Sequence, residues 1–270
     1  MCVSFFYFDE NPSAKYKLVF VNNRDEYLDR PTSRSKWENG ILAGRDEKDL
    51  SRGTWLCMDK NGRVANLLSL TVPISSLKRS ALSRGRIPLD FIYGNKSNED
   101  FCESLVDCVE YFNPFQILCF EQDAKGQYGC CIFATELVDK IRPKKLSPGV
   151  YGIGNTPLDQ PFKKVQRGIN HMQKIVDEIK IGDDFFTRCF PDELLKKQCG
   201  TSNELCRYQS ALFVQYPDGI RYGTRTHTII LVDRLNRVTF HEKTMIKAPK
   251  VISNAEWDER TFRFTLNPIY

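Results

Sequence analysis

Histidine is scarce in this sequence, with only His171, His227 and His241 among 270 residues, and none of the ten cysteines stands in Cys-x-x-Cys spacing. No zinc pattern can be built from that set, and no structural metal is expected. Cys-x-x-Cys-His and Cys-Pro are also missing, so neither covalent haem attachment nor a Cys-Pro haem-regulatory motif is expected. No apolar run approaches the roughly 18 residues that cross a bilayer, and no transmembrane segment is expected. Repeats, low-complexity segments and Pro/Ser/Gly-rich dividers are absent as well, which favours a single domain over residues 1–270. The cationic excess is only +5. Its one cluster, Arg142-Pro143-Lys144-Lys145, has no aromatic partners; it reads as a solvated loop, and nucleic acid is not an expected partner.

What is present points to a reducing compartment. Hydrophobic residues make up 41% of the chain. Cysteines lie in apolar settings such as Leu118-Cys119-Phe120 and Gly129-Cys130-Cys131-Ile132, where thiols behave as small buried hydrophobes. The opening has no basic n-region, its first apolar stretch is only Val3 to Phe8, and Asp9-Glu10 follow. The expectation from that opening is an intracellular protein without an ordinary transit peptide.

Along the chain, Val3–Phe8 and Lys17–Asn22 read as two strands around a polar turn, residues 24–36 as a loop, and Trp37–Ala43 as a short strand before a turn at Gly44-Arg45-Asp46. Asn61-Gly62 between two apolar runs signals a hairpin. A first helix is expected between Gly85 and Gly94. A second, capped by Asn98, carries Phe101, Cys102, Leu105, Val106, Cys108, Val109 and Phe112 at helical spacing until Asn113-Pro114. Phe115–Glu121 and Tyr128–Ala134 form another hairpin, and Val150–Ile153 a short strand. A third, amphipathic helix follows Pro161, with Phe162, Val165, Ile169, Met172, Ile175, Val176 and Ile179 on one face. A short helix near Asp183–Phe190 precedes strands at Ala211–Tyr216, Thr226–Val232, Val238–Glu242 and Thr261–Leu266. Strands, then helices, then strands indicate an α+β fold with two sheets and helices outside them.

Cys2 opens the first strand. On removal of Met1 it would carry a thiol and a free α-amino group of pKa about 7.7–8.0, a base suited to activating a nucleophile. The hairpin brings Arg24 and Asp25 back toward it. Met1-Cys2, Asn23-Arg24-Asp25-Glu26 and Arg30-Pro31, followed by Trp37, Ala43-Gly44-Arg45-Asp46, Gly53-Thr54-Trp55-Leu56, Ser83-Arg84-Gly85, Tyr151-Gly152 with Asn155, and Tyr222-Gly223-Thr224-Arg225-Thr226, resemble the NRDE family and its animal branch, Transport and Golgi organization 2. The resemblance covers nearly the whole chain and implies a four-layer αββα sandwich similar to N-terminal nucleophile hydrolases.

It also implies a set of site residues. Cys2 is the candidate nucleophile, with Arg24 and Asp25 orienting it; Asn23 or Asn155 could donate to an oxyanion and Arg225 could hold an anionic group. Two departures, Arg52 in place of the family's first turn glycine and Leu68-Ser69 in place of Thr-Asn, weaken the case for hydrolysis. Animal members are associated with haem movement, acyl-CoA and lipid metabolism, and secretory-pathway organisation. The expected function is therefore intracellular haem trafficking, with haem as cargo rather than as a tightly bound cofactor. An acyl-CoA or lipid carrier and a cysteine amidohydrolase or thioesterase are the alternatives. Arg24, Arg45, Arg84 and Arg225 would meet the acidic groups of such a ligand. Cys2, His227, His171, Met58 or a tyrosine are the candidate haem ligands, although His227, alternating with Ile229, also reads as a sheet residue. The expected location is the cytoplasm, with mitochondrial or Golgi/ER association and transient contact with organelle membranes.

Overall fold

A computed structural model describes residues 2–135, 142–178 and 204–269. The fold is α+β with two antiparallel sheets, one in each of two compact units, 1–29 with 149–264 and 30–148 with 265–270.

In the first unit, β1 (Val3–Phe8) and β2 (Tyr16–Tyr27) form the hairpin that two apolar runs around a polar turn predict, in the register Val3↔Asn23 to Phe8↔Leu18. Numbering strands along the whole chain, β10 (Gly149–Ile153) flanks β1, while β11 (Tyr222–Asp233), β12 (Arg237–Lys247) and β13 (Glu256–Thr265) extend the sheet beyond β2. Val3, Phe5, Val19, Val21, Ile229 and Leu231 share the face that meets the long helix α3 (Lys163–Glu178) through Val165, Met172 and Ile175. The helix closes on β1 at Gly168, where an added Cβ would lie 2.1 Å from the Phe5 ring. That approach fixes where the first turn of α3 falls.

In the second unit seven strands follow one another as neighbours: β3 (Thr32–Glu38), β4 (Ile41–Asp46), β5 (Leu56–Asp59), β6 (Val64–Ser69), β7 (Phe115–Gln122), β8 (Tyr128–Ala134) and β9 (Lys144–Leu146). Helices α1 (Ile87–Tyr93) and α2 (Asn98–Ser104) pack Ile87, Phe91, Phe101 and Cys102 against one face of this sheet. The last described α-helix, α4 (Glu204–Gln209), belongs to the first unit.

Several local expectations change. β2 continues through Arg24-Asp25-Glu26 to Tyr27, and β3 begins at Thr32, so most of the expected 24–36 loop is strand. The chain turns not at Gly44 but at Asn39-Gly40, with φ of 52° and 79°; both residues tolerate positive φ, the requirement of a two-residue hairpin turn. The helix after Ser97 is capped by Ser97, whose Oγ accepts from Asp100 N at 3.1 Å, rather than by Asn98. It ends at Ser104 and gives way to a 3-10 turn over Val106–Tyr111. An apolar repeat at i, i+3 satisfies a three-residue turn as well as an α-helix, so spacing alone did not separate them. Lys144 and Lys145 lie on the short edge strand β9 rather than in a loop. Both stay exposed, and Lys145 pairs with Glu99 at 2.7 Å. Ala211–Tyr216 is not a strand; its only ladder contact is the Gln215↔Gly223 bridge. The expected Asp183–Phe190 helix lies outside the described residues.

The glycine motifs meet in the second unit. A Cβ on Gly53 would lie 2.4 Å from the Gly85 carbonyl carbon, and one on Gly44 2.6 Å from the Trp55 ring. Thr54 N donates to Gly85 O at 2.8 Å and Thr54 Oγ1 to Gly44 O at 2.7 Å. Beside them Arg52 adopts a φ of 44° and binds Glu47 (Nε–Oε2, 2.8 Å) and Glu38 (Nη1–Oε1, 2.7 Å). A glycine here would hold that left-handed backbone without steric cost; the arginine offsets it with two carboxylates. Hydrogen bonds from Arg52 and Lys36 hold the Glu38 carboxyl at about 2, below its ordinary value. Its contribution to stability is complete above the unfolded value near 4.5 and is lost as pH falls through 2. We expect Arg52→Ala to flatten the acid limb of a stability–pH curve between about pH 4.5 and 2, measured by urea unfolding at each pH; an unchanged limb would remove this pair from the acid response.

Candidate functional site at Cys2

Cys2 stands one residue ahead of β1, where β2 runs past it. Its sulfur donates to Asp25 O at 3.5 Å and accepts from Asp25 N at 3.4 Å. The antiparallel pairing of β1 with β2 brings the two residues together. The thiol is partly accessible as a whole residue, but its sulfur is deeply set, and burial pushes its pKa above the ordinary thiol value.

The Asp25 carboxylate accepts a hydrogen bond from Thr224 Oγ1, and the same hydroxyl accepts from Val214 N at 2.7 Å. Tyr222 Oη donates to Asp25 O at 3.4 Å. Arg24 is buried and pairs with Glu26 on its own side of the strand, Nη2–Oε2 3.6 Å. The β2–β11 register runs Thr224↔Asp25 and then Thr226↔Arg24, so Arg225 is the extra residue of a bulge. Its Nη1 donates to the carbonyls of Tyr27 and Leu28, each at 3.0 Å. The expected anion holder is thus engaged with the end of β2.

Asn23 and His227 are direct cross-strand partners. Asn23 Nδ2 donates to Leu212 O at 3.0 Å, and its Oδ1 lies 2.8 Å from His227 Nδ1, which assigns the imidazole proton to Nδ1. The ring stacks on Phe213 at 5.5 Å and beside Trp257 at 5.6 Å. Burial, aided by Lys243, lowers its pKa to about 3, so the ring is neutral. Asn155 is buried just beyond β10, next to Gly154, whose missing side chain leaves space beside Val165 and the Cys2 carbonyl.

Among the other candidates, Arg45 is buried on β4 and Arg84 donates to Pro114 O at 2.7 Å, both within the second unit. Met58 is fully buried in β5 and His171 lies on α3. Cys2, Arg24 and Asp25 come together and Asn155 follows the glycine that lies beside the Cys2 carbonyl, whereas Asn23 and His227 form a separate pair one step along β2 and β11. Thr224, Tyr222 and Lys164 were not singled out from sequence. Thr224 and Tyr222 lie in the Tyr222-Gly223-Thr224-Arg225-Thr226 motif, and Lys164 stands off the apolar face expected for the amphipathic helix. A lysine pair in the first turn of a helix, where acidic residues are favoured, was the available signal.

Among the described residues, no group of three or more His, Cys, Asp or Glu side chains could hold a metal, and no helix is long and apolar enough to cross a membrane.

Fold and site together define an α+β protein of two antiparallel sheets with a cysteine beside the chain start, held against an acidic residue of the neighbouring strand. The sequence pattern of Transport and Golgi organisation 2 matches residues 1–247, and the chain belongs to that family. Transport and Golgi organization protein 2 homolog of Homo sapiens is 31% identical over 287 residues, covering 98% of this chain and 99% of the human one. Transport and Golgi organization protein 2 of Drosophila melanogaster is 31% identical over 274 residues, covering 91% and 92%. Among solved structures, a variant of conjugated bile acid hydrolase from Clostridium perfringens has a TM-score of 0.48 at 9% identity, covering 98% of each chain. The Caenorhabditis elegans N-acylethanolamine-hydrolyzing acid amidase ortholog has a TM-score of 0.43 at 10% identity, covering 85% of this chain and 92% of its own.

Proposed function

We propose that this chain is an intracellular haem-trafficking factor, with the Cys2 region serving as a cargo site rather than a hydrolytic centre. The observation that carries this reading is the state of Cys2. Its sulfur sits between the N–H and carbonyl of Asp25, and burial keeps the thiol protonated at neutral pH, whereas a nucleophile needs the thiolate. The frame that would orient a nucleophile is kept and its activation is not. Arg225 is turned to backbone carbonyls and His227 to Asn23. Arg24, buried beside Cys2 and Asp25, is the guanidinium that would meet an acidic group of the cargo. Haem is therefore carried and released, not held as a resident cofactor, and transfer takes place between the cytoplasm and organelle membranes. The haem association of animal family members supports the same reading.

The test is a side-by-side titration of purified chain with haem and with a long-chain acyl-CoA, after intact mass has established whether Met1 is removed. We expect saturable haem binding, retained in Cys2→Ser, with no turnover of either ligand. Binding of acyl-CoA alone would replace haem by a lipid cargo. Multiple turnover of an acyl amide or thioester by the wild type, lost in Cys2→Ser, would make the protein an enzyme.

A further inference from the structure

The first turn of α3 holds a residue that its surroundings disfavour twice. Lys164 is 2% exposed, so its ammonium is largely stripped of water. It also lies at the positive end of a sixteen-residue helix that has no acidic residue in its first turn. A buried cation that meets both penalties needs a compensating partner.

Geometry supplies one. Lys164 Nζ donates to Ala211 O at 3.2 Å, Arg167 Nη2 to Ser210 O at 3.2 Å, and Asn23 Nδ2 to Leu212 O at 3.0 Å, so three successive carbonyls are taken by side chains of α3 and β2. This segment continues to Val214, whose N–H meets Thr224 Oγ1, the donor to Asp25. On the other side, the position a Cβ would take on Gly154 is 2.9 Å from Val165, the residue after Lys164, and 3.9 Å from the Cys2 carbonyl. The start of α3 and Cys2 thus flank one glycine. The charged and titratable groups that face Lys164 are Asp25 from β2, Cys2 ahead of β1 and Arg167 from its own helix. Those that face Cys2 are Asp25 and Arg24 from β2, Tyr222 from β11, Lys164 from α3 and the α-amino group of the chain.

We propose that Lys164 is a positioning residue of the Cys2 site, its ammonium adding to Arg24 the positive charge that lets the Asp25 carboxylate and an ionising Cys2 stand together in a buried place. The Asp25 charge opposes a second anion beside it, and a nearby cation lowers the cost of forming one. On ionisation the Cys2 S–H bond gives its proton to solvent and the sulfur keeps the electron pair; no other bond changes. Burial pulls the Lys164 pKa down, and the nearby Asp25 and Cys2 resist that fall. The inference rests on the Cys2 site of the proposed function but not on its cargo.

The experiment is the pH dependence of Cys2 alkylation by iodoacetamide in the full chain without cargo, followed by mass spectrometry of the N-terminal peptide. In Lys164→Met the midpoint should move up by about one pH unit or more, slowing alkylation about tenfold at pH 8, while Lys164→Arg should stay close to wild type. In the wild-type chain, the Lys164 Cε–Hε NMR signal should show a step at the Cys2 midpoint that disappears in Cys2→Ser, a readout that does not depend on how well a Lys164 variant folds. The proposal is overturned by a missing step, by a folded Lys164→Met whose profile superimposes on wild type, or by a folded Lys164→Arg as slow as Lys164→Met. Loss of haem binding with these titrations intact would overturn only the cargo assignment.

Discussion

Gly53→Ala is expected to destabilise the second unit by about 3 kcal/mol or more, the upper end of what overpacking a rigid interior costs. The new methyl would sit 2.4 Å from the Gly85 carbonyl carbon and 2.6 Å from its oxygen. Both backbones are held in place: Thr54 N donates to Gly85 O and Asp46 N to Gly53 O, each at 2.8 Å. Relief would require breaking one of these bonds, since no side chain can rotate away. Gly85→Ala should cost less, because its methyl would meet Gly53 at 3.1 Å, a distance that a shift of a few tenths of an ångström relieves. Urea unfolding of the two variants measures the difference. Equal and small losses would mean that the junction yields, and that these motif glycines have another reason to be there.

The second large effect is expected at Asp25 and Thr224. Asp25→Ala removes the acceptor of the Thr224 hydroxyl in a buried place, and Thr224→Val removes both that donor and the acceptor for Val214 N. Each single change should cost about 1.5–3 kcal/mol, the range for a hydrogen bond to a charged group. The double variant should cost little more than the worse single, with a coupling of at least about 1 kcal/mol. Thr224→Ser, which keeps the hydroxyl, should stay close to wild type. Additive losses in the four-variant cycle would show that the two side chains act separately.

Much of the fold could be read from local pattern. Two apolar runs, Val3–Phe8 and Lys17–Asn22, around a polar turn placed the central hairpin, and Asn61-Gly62 placed another between β5 and β6, because short apolar runs and a turn's φ requirement are local properties. Asn39-Gly40 carries the same signal inside the stretch Trp37–Ala43 expected as one short strand. That the hairpin carries Arg24 and Asp25 back toward Cys2 was also legible in the chain; that the sulfur meets the Asp25 backbone was not. The helix after Ser97 was legible in existence but not in type, as the same spacing serves α and 3-10 turns.

Residues 211–216 show why the remainder was hidden. Their composition suits a strand, yet the carbonyls of Ser210, Ala211 and Leu212 are claimed by Arg167, Lys164 and Asn23 from distant parts of the chain, leaving only one bridge to a ladder. Arg225 is similar. Its residue type suggested an anion holder, but one extra residue in β11 turns its guanidinium onto the end of β2. Periodicity determines which residues of a segment share a face, and motif order was enough to place the chain in its family. Which segments meet, which charge is thereby stripped of water, and which donor finds which carbonyl depend on contacts between residues far apart in sequence. Those contacts exist only once the sheet and α3 have packed, and they brought Lys164 and Thr224 into the site.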